Sequence, residues 1–126
     1  MSGMTAARMA VVEDLQAVGF TVKDHVPAKV VPPLVIVSTG DPMLEESGTY
    51  SQTKFIYHLT LYVIIGTKPN AESVSGLDDM VEKVIFNLGD WTIEHVSPPE
   101  MRTANEYQFL TVSVSIKNTI NIEGGE

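Results

Sequence analysis

The most apolar stretch of the chain is KFIYHLTLYVIIGT, residues 54–67. Read with period two, it places Phe55, Tyr57, Leu59, Leu61, Val63 and Ile65 on one face, all apolar. The other face holds Ile56, His58, Thr60, Tyr62 and Ile64, half polar but with three large apolar side chains. This predicts a strand over 53–66 with one face in the core. The segment EYQFLTVSVSIKNTI alternates in the same way. Leu110, Val112, Val114, Ile116 and Ile120 make its core face. Tyr107, Phe109, Thr111, Ser113, Ser115, Lys117 and Thr119 face away.

Two segments carry helical spacing instead. Residues 5–18 bring Ala7, Val11, Leu15 and Val18 onto one stripe, with Thr5 as a candidate N-cap and Gly19 where a left-handed C-terminal cap belongs. Residues 71–88 do the same with Val74, Leu77, Val81, Val84 and Leu88, and end at Gly89. Between the elements, FTVKDHVP reads as a short extended segment, LVIVSTG as a brief strand after Pro32-Pro33, WTIEHV as a short strand and SPPEMRTAN as a loop. Residues 40–52, GDPMLEESGTYSQ, read as a long loop or extended arm. Such loops commonly serve a partner or ligand.

The predicted order is α-β-β-β-α-β-β. Two helices with one apolar stripe each suit a two-layer α+β domain, with both helices on one face of a mainly antiparallel sheet. Its 126 residues are expected to form one domain, 1–126, with a frayed tail at 122–126. What touches the second face of the long strand is then the open question. A strand over 53–66 extends about 45 Å at about 3.3 Å per residue. A compact domain of this size is roughly 36 Å across. The strand is therefore expected to bend or to reach past its own domain, where another subunit can pair with it. Ile56, Tyr62 and Ile64 are read as contacts with another copy or a joining protein, together with Tyr107 and Phe109 of the last strand. Met43, Leu44 and Tyr50 are either an interaction arm or a loop folded back on its own core, and their number favours the arm. Trp91 is either an interface anchor or core packing at a strand start.

Composition narrows the classes. Hydrophobic content is 44% and mean hydropathy +0.09, which excludes a disordered chain. The apolar run is too short, and too interrupted by His58 and Thr60, to be a membrane helix, and no secretory signal is expected. No cysteine is present, so disulfides, thiol catalysis and cysteine zinc sites are excluded. Net charge is −8, and the eight basic residues are scattered, which argues against duplex nucleic-acid binding.

Catalytic patterns are sparse. There is no G-x-S-x-G, P-loop or G-x-G-x-x-G. His25, His58 and His95, with Asp24 and Glu94, are candidate metal ligands by residue type, but their spacing matches no ligand motif and favours three unrelated histidines. Glu45-Glu46 and Asp78-Asp79 read as solvated faces, because sequence neighbours rarely serve as opposed acid and base. No cofactor, metal or catalytic residue is expected.

The ordered phrases ARMAVVEDLQAVGFTVKDHVP, VPPLVIVSTGDPML, FIYHLTLYVIIGTKPNAESVSGLDDMVEKV and ANEYQFLTVSVSI resemble the tail terminator (tail completion) proteins of long-tailed bacteriophages with non-contractile tails. The likeness lies in element order, size and phrasing and covers nearly the whole chain. It implies a structural virion protein at the tail–neck junction, assembled in the host cytoplasm. Such a protein forms a ring, most often hexameric, that caps the tail tube, stops its growth and docks on head-completion (neck) proteins. The implied partners are other copies of the chain, the tail tube protein and the neck proteins, with DNA passing through the lumen unbound and no membrane involved. An acidic balance suits that passage. Two alternatives stand: another neck component (a head-completion stopper or a tube subunit), or a small α+β ligand-binding domain or enzyme. The mark of the latter is a pocket uniting His58 with His25 or His95.

Overall fold

The computed structural model describes residues 3–46, 53–66, 71–104 and 107–122. The elements, in chain order, are α1 (Gly3–Ala17), β1 (Val22–Lys23), β2 (Leu34–Glu46), β3 (Lys54–Gly66), α2 (Ala71–Phe86), β4 (Thr92–Val96), β5 (Glu100–Ala104) and β6 (Tyr107–Asn121). The fold is α+β, with both helices packed against one face of a mixed six-stranded sheet. Helix α1 starts two residues before Thr5, so Thr5 is a helical residue rather than the cap. Its far end follows the sequence. Gly19 takes φ of 100°, Gly19 N–H donates to Gln16 O at 3.0 Å and Phe20 N–H donates to Leu15 O at 3.2 Å. These paired bonds satisfy carbonyls that the helix leaves open, and glycine adopts that φ without a Cβ penalty. Phe20 then packs on the core, and Lys83 of α2 lies 5.4 Å from its ring centroid.

The sheet runs β1-β2-β3-β6-β4, with β5 also on β6. Only β1 is parallel to its neighbour, pairing Val22 with Val35 and Lys23 with Ile36. Strands β2 and β3 have 13 residues each and β6 has 15. The core is built from the predicted faces. Tyr57, Leu59, Leu61 and Val63 of β3 and Leu110, Val112, Val114 and Ile116 of β6 meet Val11, Val12 and Leu15 of α1 and Leu77, Val84 and Leu88 around α2. Each such side chain, fully buried, stabilises by about 1.5–3 kcal/mol relative to exposure.

Three departures from the sequence reading matter for the surface. First, residues 40–46 are not a loop. They continue β2, and Leu44, Glu45 and Glu46 pair with Tyr57, Ile56 and Phe55. The alternation is broken because the ladder shifts between Thr39 and Leu44, leaving 40–43 opposite the single residue His58. Second, β3 does not project as an unpaired strand. It is central, paired with β2 on one side and with β6 from Lys54↔Asn121 to Gly66↔Leu110 on the other. Third, the segment read as the loop SPPEMRTAN contains β5, which pairs with β6 through Met101↔Leu110 and Arg102↔Phe109. Strands β4 and β5 share one edge of β6 end to end, separated by Ser97-Pro98-Pro99. Ser97 closes the gap by donating its N–H to Ser113 O at 2.8 Å.

Candidate functional site

The helices cover one face of the sheet. Among the described residues no helix packs on the other, and the register lays out its side chains in rows. Leu34, Ile64 and Thr111 share a row at one end. Ile36, Tyr62 and Ser113 follow, then Ser38, Thr60 and Ser115, and finally His58 beside Lys117. The face therefore grades from apolar through hydroxyl-bearing to charged.

At the apolar end, Leu34, Ile36, Ile64 and Phe109 form a second small core with Val30 and Tyr62 against it. The turn-rich segment after β1 folds back far enough to bring Val30 onto this cluster. Ile64 and Phe109 are each 4% exposed, so they are covered by the chain itself, contrary to their reading as contacts for another copy. Tyr62 remains half-buried, and the Arg102 guanidinium lies 5.1 Å from its ring centroid. A shallow cleft of about 170 Å³ persists between Val26, Tyr62, Arg102 and Thr103. Val26 in its wall is exposed, as is Val31 in the same connecting segment.

The charged end brings together His58, Glu94 and His95, which were named as candidates from sequence, with Glu45, which was read as part of a solvated face. His58 is buried. Its Nδ1 lies 2.7 Å from Glu94 Oε1 of β4, and its Nε2 contacts Glu45 Oε1 of β2. Glu94 reaches His58 across β6 from a ladder irregularity between Ile93 and His95. Gly40 packs on the histidine from the other side. A Cβ there would lie 2.7 Å from His58 Cβ and 3.2 Å from its backbone carbon. A cleft of about 150 Å³ follows, lined by Asp41, Glu45, His58, Thr60, Glu94 and His95 among others. His58 and His95 thus share a cleft, while His25 stands elsewhere in an exposed pair with Asp24 at 2.8 Å. The His25 hydrogen bond holds the Asp24 carboxyl below its usual value. Sequence spacing gave no hint of the cluster, because its members lie 13 and 36 residues from His58 and meet only through strand register.

A neutral imidazole has one N–H, and an ionised carboxylate only accepts. Both contacts of His58 are hydrogen bonds only when the three groups together hold one proton more than a neutral ring and two carboxylates. In that state neither ring nitrogen is free to take a proton from a substrate, as a general base must. Among the described residues no group of three or more His, Asp or Glu is arranged to hold a metal ion.

The remaining interface candidates are dispersed. Met43 is exposed, and Leu44 packs partly on the main core. Ile56 is half-buried. Trp91 packs against the main core with its ring centroid 6.2 Å from that of Tyr57, the core alternative of its two readings. Tyr107 pairs with Ala104 through the backbone, and Tyr50 lies outside the described residues. The most exposed large apolar side chain among the described residues, Phe86, was not singled out from sequence. It is 87% exposed at the last residue of α2, two residues from buried Val84 and so on the opposite side of the helix. Among the described residues no helix is long and apolar enough to cross a membrane. No protein-family description matches the chain, and no curated protein matches its sequence.

Proposed function

We propose that this chain is a structural subunit of a phage tail terminator: a ring, hexameric by the resemblance, that caps the tail tube and offers its other side to neck proteins. The observation that carries the reading is the graded sheet face. It has no helix over it among the described residues, and it joins exposed Val26 and half-buried Tyr62 at one end to a hydroxyl and acidic surface at the other. An apolar patch beside a polar rim suits a protein contact. A hydroxyl and acidic wall suits a lumen through which DNA passes without sticking. Met43, Ile56, Tyr62 and Phe86 are among the described apolar residues left to meet neighbours, with Val26, Val31 and Val96. The outer edge of β2 beyond Ile36 carries no strand among the described residues. Asp41, Pro42, Glu45 and Glu46 on that strand discourage indiscriminate pairing while leaving a specific one open.

The test is electron microscopy of the purified protein alone and mixed with polymerising tube subunits. Discrete rings, or tubes stopped at capped ends, are expected. A strictly monomeric protein in both settings would sink the reading, and unlimited tubes from the pure protein would make it a tube subunit. A second reading, a small ligand-binding domain or enzyme, is favoured by one observation, the cleft shared by His58 and His95. It requires a small molecule to perturb the imidazole resonances of both histidines, whereas the ring reading requires none.

A further inference from the structure

We infer that Glu45, His58 and Glu94 form a proton-dependent clasp that fastens the outer half of β2 and the edge strand β4 across the sheet. The inference does not depend on the ring reading. Its basis is topological. Glu45 belongs to β2, His58 to β3 and Glu94 to β4, and β6 lies between the last two. One buried ring therefore links three strands through two side-chain bonds and spans a fourth, β6. Within the segment it fastens, residues 40–43 have no register partners on β3.

The proton count sets the direction. With the extra proton in place, Nδ1–H donates to Glu94 and Nε2–H to Glu45, and each bond is charge-assisted. Moving the proton onto a carboxyl group instead preserves both bonds. Removing it altogether turns one contact into a lone pair facing a carboxylate, and that arm loses its attachment. Titratable and charged groups face the clasp from several strands. From β2 these are Asp41 and Glu45; from β4, Glu94 and His95; from β6, Lys117 opposite His58; β3 itself adds the neutral Thr60. Glu45 is the freer arm, with about half its side chain exposed against a third for Glu94. Loss of that proton therefore releases residues 40–46 first, while the core beneath, built from Leu59, Leu61 and Val114, stays closed.

The test follows imidazole nitrogen shifts of His58 by NMR, together with amide exchange of residues 40–46, from about pH 5 to about pH 9. Two protonated nitrogens are expected at the acid end. Exchange at 40–46, corrected for its intrinsic pH dependence, is expected to accelerate about tenfold or more as the proton leaves, with β6 unaffected. Glu45→Gln supplies the control, because an amide can either accept from Nε2–H or donate to a bare nitrogen. Protection at 40–46 should then become independent of pH. If wild-type protection is flat across the range, or if Glu45→Gln keeps the full pH dependence, the clasp is overturned. Glu94→Gln gives the same reading at β4 should the first variant fold poorly.

Discussion

Tyr57 is the largest fully buried side chain among the described residues, and its hydroxyl finds no hydrogen-bond partner among them. Replacing it with phenylalanine removes that oxygen and nothing else. An unsatisfied buried hydroxyl costs about 1–3 kcal/mol. The small space left by the oxygen forfeits some dispersion attraction, which offsets part of the relief. The net expectation for Tyr57→Phe is a gain of about 1 kcal/mol. Unfolding entropy of about 2.1 cal/mol/K per residue comes to roughly 260 cal/mol/K over 126 residues. A gain of about 1 kcal/mol thus raises Tm by about 4 °C. Urea unfolding is the direct assay, and Trp91, the only tryptophan, reports on the site because its ring centroid is 6.2 Å from that of Tyr57. Half-buried Tyr62→Phe should stay within about 0.5 kcal/mol of wild type. A destabilisation of about 1 kcal/mol or more in Tyr57→Phe would mean that the hydroxyl has a partner, and would refute the expectation.

Ile64→Ala and Phe109→Ala should each destabilise the isolated chain by about 2–5 kcal/mol, measured by urea midpoint, because both empty the second small core. If either leaves stability unchanged while abolishing assembly, these residues face a neighbour after all. Gly40→Ala should cost about 1–3 kcal/mol, since its new methyl meets His58; a neutral effect in the same assay would show that β2 has room to shift. Phe86→Ser should leave stability within the range of about 0.5 kcal/mol typical of surface changes. It should nevertheless weaken self-association in sedimentation experiments, and unaltered association would remove Phe86 from the interface.

The legible part of the fold was its periodicity. Alternation in Phe55–Ile65 and Leu110–Ile120 separated the two faces of both strands, because a one-residue slip would have put polar side chains against the helices, but it did not show that His58, Ile64, Thr111 and Ser113 on the second face are buried as well. Gly19 and Gly89 marked both helix ends, and both take positive φ. Residues 40–46 misled for a physical reason. Gly40, Asp41 and Pro42 are turn formers by composition, and here they sit in a wide ladder irregularity inside a strand. Strand β5 was hidden by Pro98-Pro99 just before it and by its partly polar sequence. The second core escaped notice because Ile64 and Phe109 are buried by residues far along the chain, Leu34 and Val30 among them. Likewise, Glu45 beside Glu46 reads as a solvated pair until register brings it to His58.

The central claim is a place in a particle, so the most direct measurement is a cryo-EM reconstruction of the neck of virions assembled with a tagged copy of this chain. The proposal predicts one closed ring of the chain between the last tube ring and the head-side proteins, with the graded sheet face turned to neighbours or the lumen. Repetition of the chain along the whole tube, or its absence from the particle, would contradict it.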